Sequence, residues 1–347
     1  MEKKKDLSIK DIAKQCGVSV STVSRVLNNT GRCSAATRER IRQVIGESGY
    51  RPSVFARGMR TGCLNAVGII VPDITNEFFS SITLAIQNKL FESGTMTLIC
   101  NTNERRELQH RQLEMLRASK VSGLIFISGE EIGEEEFADG IPKIFIDRLP
   151  GNAAAKKAVT IEVDNYTGGL LAAGEMLHAG CRRIAGLFDG RGLSTKTARY
   201  AGFLRAHEEH GIKAVRELHC PLSKISYEEG YRAVKRLIGT GAEFDGIFCY
   251  SDLLAYGAIH ALAEASIPVP DACLVTGFDN IAPSEFSNPP VTTVEQPVRE
   301  MGELAAELIT RMRNGAWPEN NRYVLPVKLI RRKTTERAAA RKSAPVL

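Results

Sequence analysis

The stretch DIAKQCGVSVSTVSRVLN, Asp11 to Asn28, decides the first part of the fold. Apolar residues recur in it at three- and four-residue spacing and predict a helix that ends at Gly17, because glycine readily adopts the backbone angles that close a helix. Ser19 can cap a second helix. A third helix is predicted between Ser34 and Gly49. Three short helices with a tight glycine turn between the first two predict a helix-turn-helix.

The second of these helices carries short polar side chains on its outward face. In a helix-turn-helix this helix enters the major groove, where Arg25 can donate two hydrogen bonds to guanine. A small solvated helix whose serines serve only as caps is the alternative. The residues of this segment predicted to contact DNA are Ser19, Val20, Ser21, Thr22, Ser24, Arg25 and Asn28.

Positive charge is concentrated in the same part of the chain. Residues 1–60 contain thirteen Lys or Arg against five Asp or Glu, a net charge of +8, whereas the whole chain carries +6, so the remainder sums to −2. A basic module on a near-neutral body indicates that the first segment binds a polyanion and the rest does not. The charge therefore favours DNA binding over a merely solvated helix.

The composition limits the class of protein. A chain of 347 residues, 43% hydrophobic and 25% charged, is typical of a globular protein with two or three domains. No apolar stretch reaches membrane-spanning length and no secretory signal follows the basic start, so we expect a cytoplasmic protein that does not enter membranes. The eight cysteines include no CxxC pair, which predicts neither a zinc site nor a disulfide framework.

After residue 61, apolar strands alternate with helices in two similar series, which predicts two α/β units with parallel sheets covered on both faces. Ligands of such sheets lie beyond the carboxyl ends of the strands. Carboxylates and amides there can bind hydroxyl groups, and aromatic faces can cover a sugar ring. The candidates at these ends are Asp73, Asn76, Phe78, Phe79, Asp147, Arg148, Ser251, Asp252 and Asp279. Phe78 and Phe79 could instead belong to the core, Asp147 and Arg148 to a surface ion pair, and Asp279 to a turn.

No pattern of catalytic residues is present. The sequence has no HExxH, GxxxxGK or GxSxG motif, and His207 and His210 lie in a polar segment, AHEEHG, that we expect to be a solvated helix face. An α/β fold by itself leaves an enzyme or a transport binding protein open. The missing motifs and the missing signal argue against both, and we expect no catalytic residues, no metal and no cofactor.

Several segments resemble the lactose-repressor/galactose-repressor (LacI/GalR) family. They are IKDIAKQCGVSVSTVSRVLNN, SAATRERIRQVIGESGYRP and ARGMR near the start, and VDNYTGG, GCRRIAGL, RYAGF, GFDN and PPVTTVEQP in the body. The resemblance implies an all-α helix-turn-helix head and an α/β, two-lobed, periplasmic-binding-protein-like effector core whose lobes are joined by three crossovers.

The same resemblance implies domain boundaries. They are a DNA-binding domain at 1–50, a hinge helix and linker at 51–63, an effector-binding core at 64–336 and a short tail at 337–347. Lobe one is expected at about 64–160 and 293–323, and lobe two at about 161–292 and 324–336. The tail lacks a leucine heptad, so we expect a homodimer and no coiled-coil tetramer.

In the hinge segment PSVFARGMR, the resemblance implies DNA contacts for Ala56, Arg57 and Met59. Met59 takes the place of a leucine that enters the minor groove, and methionine can act as such a wedge. Gly58 lowers helix propensity by about 1 kcal/mol relative to alanine. We therefore expect the hinge to kink DNA, to an extent that Gly58 and Met59 alter.

In the body, the resemblance implies that Arg199 and Asp279 are the main effector ligands, with Asn76, Phe78, Asp147, Arg148 and Ser251 beside them. Ser251 departs from the asparagine that relatives often carry.

The predicted function is a regulator, usually a repressor, of carbohydrate uptake or catabolism genes that binds a palindromic operator. Segments such as CNTNERRELQHRQLEML and TARYAGF most resemble the ribose-repressor-like branch and favour a small sugar as effector. A purine or a phosphorylated partner protein is the alternative effector, and a sugar-binding protein without regulatory role is the alternative class.

Overall fold

The structure is a computed structural model that describes residues 7–27, 31–50, 64–127, 137, 139–148, 158–191 and 194–337. Its contacts divide the chain into two compact units, Met1–Asn65 and Ala66–Leu347.

The first unit is a three-helix head that contains α1 (Ile9–Gln15), α2 (Val20–Leu27) and α3 (Ala35–Ser48). Side-chain caps start two of them: the Ser8 hydroxyl accepts a hydrogen bond from the backbone of α1, and the Ser34 hydroxyl accepts one from α3. Gly17 has the left-handed backbone (φ +59°) that the tight turn requires. Ile12, Val23 and Ile41, one from each helix, are fully buried against one another. The predicted helix-turn-helix is confirmed.

The second unit has two lobes. Lobe one begins with β1 (Leu64–Val71), α4 (Glu77–Glu92), β2 (Met96–Asn101), α5 (Arg106–Ala118), β3 (Val121–Ile127), β4 (Lys143–Ile146) and β5 (Val159–Val163). Lobe two follows with α6 (Asn165–His178), β6 (Ile184–Asp189), α7 (Ser194–Glu209), a 3-10 turn (Arg216–Leu218), β7 (His219–Leu222), α8 (Tyr227–Gly239), β8 (Gly246–Cys249), α9 (Asp252–Glu264), β9 (Leu274–Asp279), α10 (Pro283–Phe286) and β10 (Thr292–Glu295). The chain returns to lobe one with α11 (Val298–Arg313) and β11 (Arg322–Leu325), and to lobe two with β12 (Lys328–Ile330).

Each lobe is built on one sheet. The strand order is β11-β5-β4-β3-β1-β2 in lobe one and β12-β10-β9-β8-β6-β7 in lobe two. Neighbouring strands such as β1 and β2 run parallel, whereas β12 runs antiparallel to β10. The inner strands β1, β3, β4, β5, β6, β8 and β9 are apolar and buried, as expected for parallel sheets with helices on both faces, whereas β2, β7, β11 and β12 are partly exposed. The two predicted α/β units are confirmed.

The chain crosses between the sheets three times, after β5, after β10 and after β11. The predicted lobe boundary near residue 293 falls inside β10, a strand of lobe two, so this crossing comes a few residues later than expected. Near residue 161 the boundary falls inside β5, a strand of lobe one. Periodicity alone could not place these boundaries, because a crossover strand and an internal strand are equally apolar.

The prediction for AHEEHG was wrong in one respect. His207 is only 2% exposed, and its ring lies 4.4 Å from that of Phe203, centroid to centroid. The face of α7 that carries it is packed in the apolar core of lobe two. Burial lowers the pKa of His207, so the neutral ring is favoured.

Candidate functional site

The predicted reading surface of the head lies on α2. Arg25 and Ser21 are exposed, and Val20, Thr22 and Ser24 are half-buried at the edge of the same helix. The inward face is filled by apolar side chains, so the polar face is left toward solvent. This arrangement suits insertion of a helix into a groove, because the outward side chains reach beyond the backbone without disturbing the core.

The Ser19 hydroxyl caps this helix and accepts a hydrogen bond from the backbone N–H of Thr22 over 3.2 Å. It also lies 2.7 Å from the hydroxyl of Ser21. Local bonding thus fixes the hydroxyl groups at the start of the predicted reading helix. The other residues predicted to contact DNA, Asn28, Ala56, Arg57 and Met59, lie outside the described residues.

A cavity of about 50 Å³ lies between the two lobes. Nine of the ten residues predicted to bind the effector border it: Asp73, Asn76, Phe78, Phe79, Asp147, Arg148, Arg199, Ser251 and Asp279. Apart from Arg199, which lies within α7, they come from strand ends and helix starts of both lobes, which the parallel sheets bring to a common edge. The sequence-based selection is therefore gathered in one place, and the binding role of these residues stays a prediction.

Arg199, on α7, is the most tightly held of these side chains. Its guanidinium carbon lies 3.6 Å from the ring centre of Phe278 and 4.4 Å from that of Tyr250. Nε donates to Oδ1 of Asn165 over 2.7 Å, and Nη1 donates to the carbonyl oxygen of Tyr250 over 2.8 Å. The side chain is 3% exposed, so one orientation is fixed by stacking and hydrogen bonds before any ligand arrives.

Glycines allow α7 to come close to α6, which places Arg199 next to the first crossover. A Cβ at Gly202 would lie 2.0 Å from the carbonyl oxygen of Tyr166, and one at Gly169 would lie 2.1 Å from the carbonyl oxygen of Arg199. Any larger residue at either position would force the two helices apart. The segments VDNYTGG and RYAGF therefore have a direct packing role.

Asp279 ends β9 and is held away from ordinary backbone angles, at φ +112°. Nε2 of Gln296 donates to its Oδ1 over 2.7 Å. Burial raises the pKa of Asp279 well above its usual range, and the nearby Arg199 guanidinium opposes part of that rise. A strained, buried carboxylate at a strand end is typical of a functional position.

Asp147 and Arg148 directly follow β4 and do not lie at the surface, where the ion pair considered above would be. Both are buried, at 6% and 7% exposure, and Asp147 has a left-handed backbone (φ +71°). Arg148 donates from Nη2 to Oε1 of Glu104 over 3.3 Å. Its partner thus comes from a different strand end of the same lobe.

Several other cavity residues also have local roles. Asn76 caps α4 by accepting from the Phe78 N–H, and Ser251 caps α9 by accepting from the Leu254 N–H. Phe78 and Phe79 are 4% and 7% exposed and belong to the core of lobe one while bordering the cavity. The core and binding interpretations of these two residues are therefore compatible.

Asp252, a candidate from the sequence, does not border the cavity. It is fully buried and accepts hydrogen bonds from the Ser284 hydroxyl over 2.7 Å and from the Thr293 hydroxyl over 2.5 Å. Burial raises its pKa to about 6. These hydrogen bonds join α9 to α10 and β10. The position of Asp252 at the start of α9 directs its side chain toward these elements and away from the cavity.

Four bordering residues were missed by the sequence analysis: Glu104, Lys224, Ile225 and Tyr250. Tyr250 directly follows β8 and precedes Ser251, so the strand-end rule could have found it. Lys224 and Ile225 follow β7, whose sequence HCPL gives no strand signal. Glu104 lies three residues beyond β2, in a turn that periodicity does not predict.

Comparison with known proteins identifies the family. Residues 8–53 match the bacterial regulatory proteins of the lacI family, and residues 173–335 match the periplasmic binding protein-like domain. The HTH-type transcriptional regulator DegA of Bacillus subtilis (strain 168) is 32% identical over 333 residues, which cover 94% of this chain and 98% of that protein. The chain belongs to the LacI family.

Further comparisons agree with this assignment. The ribose operon repressor of Halalkalibacterium halodurans is 31% identical over 329 residues, covering 95% of this LacI-family chain and 97% of that protein. The structure of the Lac repressor dimer bound to operator and the anti-inducer ONPF superposes with a TM-score of 0.84 at 24% identity, over 95% of this chain and 99% of that one, and shows the same fold. The protein is thus a DNA-binding transcriptional regulator of a non-enzymatic family. Among the described helices, none combines the length and apolar composition needed to cross a membrane.

Proposed function

We propose that this LacI-family regulator is a homodimeric repressor of carbohydrate genes, acting in the cytoplasm on a palindromic operator, and that a small sugar gates it. The observation that carries the proposal is the gathering of nine of the ten predicted effector ligands around one cavity between the lobes. The ribose operon repressor among its relatives supports a pentose as the first candidate.

The chemistry of the cavity suits a polyhydroxylated ring. Carboxylates at Asp73, Asp147 and Asp279 can accept hydrogen bonds from hydroxyl groups, and Arg199 can donate to hydroxyl or ring oxygens. Phe78 and Phe79 supply apolar surface for the carbon-bound faces of a ring. Polar groups at fixed positions beside aromatic surface are what a site needs to orient a sugar.

Gating follows from the size of the cavity. Small-molecule sites usually enclose about 300–1,000 Å³, whereas this cavity encloses about 50 Å³. We infer that the lobes open or rotate to admit a ligand. A ligand that prefers one lobe arrangement by about 1–3 kcal/mol would change operator affinity by roughly 5–150-fold.

Dimer formation is supported by exposed apolar side chains on the second unit. Leu84 and Phe91 on α4 are 56% and 80% exposed, and Phe286 on α10 is 80% exposed. We infer that these side chains belong to an interaction surface, because contiguous exposed apolar patches mark such surfaces. Two heads on a symmetric dimer would bind two half-sites of a palindrome.

The test is a binding panel on the purified protein, by thermal shift and then by titration calorimetry, with pentoses, hexoses, disaccharides and purine bases. We expect one neutral sugar to raise the melting temperature and to bind saturably with one site per subunit. A purine that binds while every sugar is silent would contradict the proposal of a sugar effector.

A further inference from the structure

Two arginines converge on a single carboxylate at the edge of the effector cavity. Nη2 of Arg148, from lobe one, lies 3.3 Å from Oε1 of Glu104, and Nη1 of Arg191, from lobe two, lies 3.0 Å from the same oxygen. Glu104 borders the cavity, as does Arg148. The protein's own carboxylate thus lies where two guanidinium groups from opposite lobes meet, which is an arrangement that binds anions.

Arg191 is oriented by a second carboxylate. Its Nε donates to Oδ1 of Asp189 over 2.9 Å, and its Nη2 donates to Oδ2 over 2.6 Å. Asp189 is the last residue of β6 and is fully buried. Because this two-pronged bond uses one edge of the guanidinium group, Nη1 is directed toward Glu104.

Glu104 is presented by a rigid turn. Asn103 and Glu104 both have left-handed backbones, with φ +51° and +55°. The Glu104 N–H donates to the carbonyl oxygen of Pro72 over 3.2 Å, which fixes the turn to the end of β1. The carboxylate therefore reaches the two arginines from a fixed position, and its side chain is 20% exposed.

The charged groups around the cavity carry no net positive charge. Among the residues that the structure describes there, the carboxylates are Asp73, Glu104, Asp147, Asp189 and Asp279, and the cations are Arg148, Arg191, Arg199 and Lys224. No surplus positive charge remains for an anionic ligand while Glu104 is in place. Burial also raises the pKa of Asp279, and even with this group neutral the charges only cancel.

We propose that Glu104 is a specificity-determining residue of the effector site. Its carboxylate occupies the position between Arg148 and Arg191 that the phosphate or carboxylate of a charged sugar would take. The cleft then accepts a neutral carbohydrate and rejects its phosphorylated or acidic counterpart, because a second anion would lie beside Glu104 without a cation of its own. This inference rests on the proposed function, since it concerns the ligand of the same site.

The experiment compares binding of inorganic phosphate, D-ribose and D-ribose 5-phosphate by calorimetry in the full-length wild-type protein and in variants. Glu104→Ala removes the carboxylate that both arginines share, whereas Glu104→Asp keeps the charge. Glu107→Ala is the matched control, since Glu107 is an exposed carboxylate in the first turn of α5 that lies 4.0 Å from the Arg105 guanidinium and does not border the cavity.

We expect Glu104→Ala to bind inorganic phosphate and ribose 5-phosphate at least about tenfold more tightly than the wild type does. Glu104→Asp should exclude both, as the wild type does, and Glu107→Ala should match the wild type. An equal gain in Glu107→Ala would show a general effect of surface charge and overturn the inference. The absence of any gain in phosphate binding by a folded Glu104→Ala protein would also overturn the inference.

The wild-type protein provides a test that needs no variant. Ribose 5-phosphate that binds it as tightly as ribose does would overturn the inference directly. Failure of the proposed function gives a different result, because no neutral sugar would then bind the wild type. The comparison of inorganic phosphate binding between the wild type and Glu104→Ala would still show whether Glu104 excludes anions.

Discussion

The head and the effector cleft use polar residues in opposite ways. In the head, five of the seven predicted contacts lie on one helix of eight residues, and Arg25 is exposed to solvent. In the cleft, the predicted contacts come from strand ends that are up to about two hundred residues apart, and Arg199, Arg148 and Asp279 are all less than a tenth exposed.

This difference has energetic consequences. An exposed arginine remains hydrated until DNA arrives, so its contribution is expected to depend on salt and to be modest. A buried carboxylate or arginine has already lost its hydration, so its neighbours must hold it and its removal leaves other groups without partners. The head should therefore tolerate substitution with local losses, whereas the cleft should respond to single changes with loss of the whole ligand response.

The largest effect is expected for Asp279→Ala. Loss of a buried carboxylate beside Arg199 and Gln296 should weaken effector binding by roughly 2–5 kcal/mol. Operator binding without effector should be unchanged, because the head is a separate compact unit. Calorimetry with the effector and fluorescence anisotropy with operator DNA measure the two effects. Asp271→Ala, at an exposed turn of lobe two, is the control, and loss of both activities in Asp279→Ala would give this residue a structural role.

The packing of the cleft is tested by Gly202→Ala. The added Cβ would meet the backbone of α6, and overpacking of this kind costs about 1–3 kcal/mol. Urea unfolding followed by circular dichroism should show the loss in the second unit. Gly239→Ala is a matched control, since nothing lies within 4 Å of a Cβ at that position. Equal stability of both variants would show that the α6–α7 contact is not as tight as described.

In the head, Arg25→Ala should weaken operator binding by about 1–3 kcal/mol and relax the sequence preference. Anisotropy titrations against the operator and against operators with single base changes would measure both. Arg42→Ala, on the exposed face of α3, provides a comparison of equal charge. If Arg25→Ala lowers affinity for every DNA sequence by the same factor, then Arg25 contacts phosphate and does not read a base.

The smallest change is expected for Ser8→Ala. It removes the hydroxyl that caps α1 and half of a capping box with Asp11, at a cost of about 1 kcal/mol. Thermal unfolding should show a lower melting temperature for the head alone. Lys10→Ala, an exposed neighbour, should leave the head unchanged, and a shift of the second unit would contradict the separation of the two units.

The extent to which sequence predicted the structure also differs between the two regions. The head could be predicted almost completely, because its helices, caps and outward face follow from local spacing around Gly17 and Ser34. In the body, the strand-end rule found Asp147 and Asp279, because an apolar run and its last residue are visible in the sequence. Both positions proved to have strained backbones, which spacing does not show.

The remaining features depend on contacts between distant segments. The position of Glu104 beside Arg191 requires two lobes to meet, and the burial of His207 requires α7 to pack its second face. Asp252 occupies the same kind of strand-end position as Ser251. Asp252 accepts a hydrogen bond from Ser284, however, and only Ser251 of the two borders the cavity. A shift of one residue along a helix start moves a side chain from the cavity to a buried structural position, and local patterns cannot resolve such a shift.

The most direct test of the central claim is an operator-binding titration with and without the sugar found by the binding panel, in the wild type and in Asp279→Ala. The operator can be obtained by selection from a library of random palindromes. A sugar-gated regulator should show an operator affinity that changes by roughly 5–150-fold with the sugar in the wild type and does not change in Asp279→Ala. An operator affinity that is the same with and without a sugar that binds the cleft would contradict the account.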